Sequence, residues 1–136
     1  MAEINDLQSA DANNTARWPE GTMVVNQIND AGRADEGILA RWFKDINGTL
    51  TTAGTGAAYT LILNRTGVTA VSQIGTVVAR AHVANTGACT VQFGALAAKP
   101  IRKSNNAALV VGDIMTNDVI MLAYNTANDT FQLVGK

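Results

Sequence analysis

The chain of 136 residues is one domain's worth of sequence, and its 47% apolar content is too high for a disordered chain. Only 15% of residues are charged and 5% aromatic, so a core must be built from Ala, Val, Ile and Leu. A net charge of -1 leaves no basic surplus for nucleic acid, the single cysteine (Cys89) excludes a disulfide framework or multi-Cys zinc site, and the single histidine (His82) excludes most His-based metal cages.

Residues 1–21 read as an extended docking arm, of which residues 1–17 are small, polar and without a period. Glu3, Asp6 and Asp11 precede the first basic residue, Arg17, which is the reverse of a secretory leader. No apolar run approaches the roughly 18 residues of a membrane span, so no membrane partner is expected. The chain is expected to be made as a soluble intracellular product. Trp18-Pro19 extends the backbone, because a residue before proline avoids the helical region. Thr22 can then cap a helix over residues 22–48.

That helix carries one apolar stripe at three- and four-residue steps: Val24, Val25, Ile28, Ala31, Ile38, Leu39, Trp42 and Ile46. Together with Trp18, these residues form the expected subunit or partner interface. Gly32 and Gly37 weaken the helix, permit close approach of another backbone, or mark a break near Gly37. Asn47-Gly48 supplies the stop.

From residue 49 to 136 the period changes to two. Strands are expected near Tyr59–Leu63, Gly75–Val83, Cys89–Phe93, Pro100–Lys103, Val119–Tyr124 and Thr130–Val134. Short spacing without crossover helices implies antiparallel pairing. The expected fold is mainly β with one N-terminal helix, its body an antiparallel sandwich or barrel. Charge is split: net -4 over residues 1–48 and net +3 over residues 49–136. The β part holds nine charges, well under the usual quarter to third of an exposed surface. Either a Thr/Asn-rich surface keeps it soluble, or part of it is buried between subunits.

Catalytic chemistry finds little support. In the register that aligns apolar faces, Val83 lies opposite Cys89 and His82 opposite Thr90, with Asn85-Thr86-Gly87 as the hairpin loop. Cys89 then points to the core and His82 away from it, so no Cys–His dyad forms. The glycines of Thr52-Ala53-Gly54-Thr55-Gly56 lack a following lysine and helix, so they read as a strand lead-in and not a phosphate cradle. Asp35 and Glu36 diverge around the helix, and Asp113 and Asp118 lie in turns without clustered carboxylates. Lys99, Arg102 and Lys103 form a small basic spot, either a solvated strand end or a contact for an acidic partner. No cofactor, metal or enzymatic activity is expected.

Two stretches resemble a family of tailed-bacteriophage virion proteins of the tail-fibre or fibre-like kind. The first runs Trp18-Pro-Glu-Gly-Thr-Met-Val-Val-Asn-Gln-Ile-Asn-Asp-Ala-Gly-Arg33 and continues to Arg41-Trp42-Phe43-Lys44-Asp45. The second opens at Gly48-Thr49-Leu50-Thr51-Thr52-Ala53-Gly54-Thr55 and passes through Asn85-Thr86-Gly87-Ala88 and Ala97-Ala98-Lys99-Pro100-Ile101-Arg102-Lys103. It ends at Leu109, Gly112-Asp113-Ile114 and Phe131-Gln132-Leu133. The resemblance implies a virion component without enzymatic activity, commonly a homotrimer with a β-rich body, whose partners are itself and other virion proteins. Val24-Val25 departs from the Pro-Ser of many members, and the chain lacks the long continuation of receptor-binding fibres. A short adaptor docked by its arm and helix is therefore expected. A capsid decoration or head fibre on the outer shell is the alternative. A host-glycan-binding module is a third reading, for which the β part offers only Tyr59, Phe93, Tyr124 and Phe131 as stacking rings.

Overall fold

The structure, a computed structural model, describes residues 25–135. The arm, Trp18, the Thr22 cap and Val24 lie outside the described residues. One α-helix, α1 (Val25–Ile46), precedes eight strands: β1 (Leu50–Thr51), β2 (Ala53–Gly54), β3 (Ala58–Leu61), β4 (Thr76–Arg80), β5 (Thr90–Phe93), β6 (Lys99–Arg102), β7 (Val119–Asn125) and β8 (Thr130–Leu133). A short 3-10 turn covers Val71–Gln73.

α1 runs unbroken through Gly32 and Gly37, so Gly37 marks no break. The helix stops where Gly48 adopts φ 81°, a left-handed conformation that suits a residue without Cβ. The Thr49 amide then donates to Asn47 Oδ1 at 3.1 Å, turning the chain directly into β1.

The eight strands form one mixed sheet in the order β1-β4-β7-β8-β6-β5-β3-β2, curled into a nearly closed barrel. The two edge strands, β1 and β2, are consecutive in the chain and separated only by Thr52. One extended segment thus belongs to both edges, pairing Leu50–Thr51 with β4 and Ala53–Gly54 with β3. Thr52 sits buried at the changeover. Its amide donates to Arg80 O at 3.0 Å, and its hydroxyl accepts the His82 amide at 3.0 Å. The same hydroxyl meets His82 Nδ1 at 2.7 Å, while Nε2 reaches Gly54 O at 3.2 Å. With Nε2 protonated and Nδ1 accepting from Thr52, every partner is satisfied. His82 therefore ties the closing segment on both sides of its changeover.

Alternation holds inside the barrel. Val77, Ala79 and Ala81 from β4 and its extension face inward, as do Val91 and Phe93 from β5, Leu122 from β7 and Phe131 from β8. Eight strands leave an interior just wide enough for side chains to fill. The largest residues are few, so Phe131 serves twice, with ring centroids 5.0 Å from Phe93 and 5.2 Å from Tyr124.

Two expectations are corrected. Pairing is mixed, with β1·β4, β3·β5 and β6·β8 parallel. Each parallel pair joins strands far apart in the chain, whose connection runs through other strands of the barrel and needs no crossover helix. The β4–β5 hairpin with Val83 opposite Cys89 does not form either: β4 pairs with β1 and β7, and β5 with β3 and β6. Residues 83–88 instead cross one end of the barrel. Tyr59 Oη donates to Val83 O at 2.8 Å, and Asn85 is held by the loop at 110–114. The glycine-rich lead-in at 52–56 is itself the barrel's closing segment.

Gly56 tests that closure. A Cβ placed there would overlap the carbonyl oxygen of Ala84. Gly56→Ala is expected to destabilise the barrel by about 1–3 kcal/mol, whereas Gly32→Ala, with open space around its Cβ, is expected to be neutral or to stabilise by up to about 1 kcal/mol. Urea unfolding of the two variants checks both signs.

Candidate assembly surface

Asp45 positions the helix. It lies in the last turn of α1, where the helix dipole disfavours a carboxylate by about 0.3–1 kcal/mol. It is nevertheless fully buried. The reason stands in the loop after β3. Asp45 Oδ1 accepts the Asn64 amide at 2.7 Å and its side-chain amide at 3.0 Å, and Oδ2 accepts the Arg65 amide at 3.4 Å. Arg65 Nε sits 3.0 Å from Oδ2 as an ion pair, off the line of a good hydrogen bond. The other guanidinium nitrogens donate to Gln73 O at 3.4 Å and Ile74 O at 2.5 Å. A charged group left in that interior without its partner would be penalised by several kcal/mol, so the pair outweighs the dipole.

This anchor fixes which face of α1 turns to the barrel. Ile38 and Asp45, seven residues apart and hence on one side of the helix, are buried. Ala31 and Ile46 are half-buried, while Val25, Ile28, Leu39 and Trp42 are exposed. Of the described residues of the expected interface, then, Ile38 is already covered within the chain and the others remain wholly or partly open. Phe43, also exposed, joins them. Its four-residue step from Leu39 was the signal for it.

Beside the helix, the outer face of the barrel carries Val78 on β4 and Val119 and Met121 on β7. Trp42 and Ile46 meet Thr76, Val78 and Met121 around a groove of about 500 Å³.

The basic spot comes apart on inspection. Lys99 pairs with Asp129, and Lys103 Nζ lies 2.9 Å from Asp113 Oδ2. Arg102 stands between them on β6, half-buried. The Lys99 contact first, and then a hydrogen bond from Tyr124, hold Asp129 below the usual carboxylate range; donating that bond to the carboxylate raises Tyr124. Two of the three cations are thus matched within the chain.

The candidate nucleophiles are placed against reactivity. Burial first, then the nearby Asp113 charge, pushes the Cys89 thiol up to about 11. Burial likewise pushes Tyr59 up to about 12. His82 is engaged at the seam and meets the Tyr59 ring edge-on. Among the described residues, no group of three or more His, Cys, Asp and Glu could hold a metal ion, and no helix is long and apolar enough to cross a membrane.

Sequence reasoning passed over Asp45, Arg65 and Asn85. Asn85 is buried, donating to Gly87 O at 2.8 Å and Val110 O at 2.7 Å and accepting the Ile114 amide at 2.9 Å. Gly87 is a local partner, but only the tertiary fold brings Val110 and Ile114 to Asn85.

Asp45→Ala leaves Arg65 buried without a counter-charge, and is expected to cost about 3–5 kcal/mol, with the double variant Asp45→Ala/Arg65→Met recovering much of that loss in urea unfolding. Cys89 binds its proton more tightly folded than unfolded, so its contribution is complete below pH 9.0 and is lost as pH rises toward about 11. Cys89→Ala is expected to flatten that part of the stability profile, and the native thiol is expected to resist alkylation at pH 8.

Compared with known proteins, the chain matches no family model and no curated protein.

Proposed function

We propose that this protein is a non-enzymatic structural component of a tailed-phage virion, a short self-assembling appendage or adaptor built as a homotrimer and docked through its N-terminal arm and helix. The observation that carries the reading is the flank of α1 formed by Ile28, Leu39, Trp42 and Phe43, which is apolar and turned away from the chain's own core. An isolated helix gains nothing from such a flank in water, whereas a subunit contact buries it. The sparse charge of the β part supports the same reading. The protonated, buried Cys89 and Tyr59 offer no nucleophile at neutral pH, which favours structure over catalysis. The phage assignment rests on the ordered set of motifs from Trp18 to Leu133.

Native mass spectrometry of the full chain at micromolar concentration is expected to return a trimer, and a stable monomer would sink the assembly reading. Quantitative mass spectrometry of purified particles is expected to find the chain at a small multiple of three copies. Its absence from particles removes the virion assignment.

A further inference from the structure

Asn47 is the one asparagine of the sequence that glycine follows. It is exposed and stands in the short passage from α1 to β1. The Thr49 amide donates to its Oδ1 at 3.1 Å. The Thr49 hydroxyl comes within 2.7 Å of the same oxygen, nearer than its other acceptor, Lys44 O, at 3.2 Å. Both donors thus meet the carbonyl end of the carboxamide. Among the described residues, none accepts from Asn47 Nδ2. Asn64 and Asn85 are held the other way: Nδ2 of Asn64 donates to Asp45, and Nδ2 of Asn85 donates to Gly87 O and Val110 O. Arg65 and Thr86, which follow them, each carry a side chain that crowds the adjoining backbone nitrogen, whereas Gly48 has no Cβ.

We infer that Asn47 is a site of spontaneous covalent modification, at which the Gly48 nitrogen attacks the Asn47 side chain and its amide group is exchanged for water. Solvent base first removes the Gly48 amide proton; the N–Cγ bond forms, and the displaced electron pair moves onto Oδ1. The tetrahedral centre then collapses to a cyclic imide. Its C=O bond reforms, the Cγ–Nδ2 bond breaks, and Nδ2 takes a proton from solvent and leaves as ammonia. Water opens the imide at the side-chain carbonyl to give aspartate, or at the main-chain carbonyl to give isoaspartate. The fold assists because the two Thr49 donors meet the oxygen on which charge develops. The site is open to water, so their effect is a few-fold in rate and far below that of an enclosed oxyanion site. Either product bears on the clamp below it. A carboxylate at residue 47 puts negative charge at the C-terminal end of α1, two residues from buried Asp45, where the dipole disfavours it. Isoaspartate also routes the main chain through Cβ, which lengthens the link to β1 and removes the side-chain turn onto Thr49.

The full chain is aged in mildly alkaline buffer, folded and in guanidinium chloride, and each asparagine is followed by peptide mapping with mass spectrometry and isoaspartyl methyltransferase labelling. Residue 47 is expected to convert first, and in the folded chain at least as fast as in the unfolded one. Thr49→Val keeps the backbone donor and removes the hydroxyl; it is expected to slow conversion of the folded chain by roughly two- to tenfold and to leave the unfolded rate unchanged. A parent chain that converts residue 47 far more slowly when folded than when unfolded overturns the proposal, as does a Thr49→Val chain that keeps the parent's folded rate. Aged chains enriched in isoaspartate are expected to unfold at lower urea than fresh chains and than Asn47→Asp, and an unchanged midpoint overturns the effect on the clamp.

Discussion

The ion pair between Asp45 and Arg65 sets the relation between the two halves of the molecule. It joins the last turn of α1 to the loop after β3, and Arg65 passes the link on to the carbonyls of Gln73 and Ile74 just before β4. Three chain segments therefore meet at one carboxylate and one guanidinium. Burial makes the arrangement unforgiving, since neither charge has water to fall back on. It also gives the helix a fixed rotation about its own axis. Because Asp45 must face inward, Leu39 and Phe43 must face outward.

The barrel solves the edge problem of sheets in an economical way. An open sheet of eight strands would leave two rows of unpaired backbone groups. Here one segment, Leu50 to Gly54, is both the first strand and the last, and Thr52 turns it from one edge to the other. Each pairing is only two residues long, so the backbone alone holds the seam weakly. The Thr52 hydroxyl and the His82 ring add side-chain bonds on either side of the changeover. His82, which reads as a surface or interface residue in the sequence, is a structural tie.

Much of the fold was legible because alternation and helical spacing are local. α1 and all six expected strands are present within a few residues, and the inward positions of Val77, Ala79, Val91 and Phe93 follow from period two. What was not legible is non-local. Nothing in the residues near Thr76–Arg80 says that its partners are β1 and β7, and apolar matching alone favoured the wrong neighbour, β5. The two-residue strands β1 and β2 carry too little pattern to be seen. Nothing in the sequence marks Asp45 as an anchor, because its partner Arg65 is 20 residues away. The open flank of α1 was half legible: its stripe could be listed, but which part the barrel covers depends on the buried ion pair.

The short passage from α1 into β1 has a mechanical consequence. Only Asn47, Gly48 and Thr49 separate the helix from the strand that closes the barrel. Tension applied to the helix from its N-terminal side reaches the body at this junction. There the Asp45–Arg65 pair shares it with the Asn64 amides, ahead of the two-residue β1 pairing. The ion pair thus acts as a strain relief: pulling loads a buried electrostatic clamp before it can unzip the seam. A subunit held by its helix in an assembly would keep its barrel shut for as long as that clamp holds.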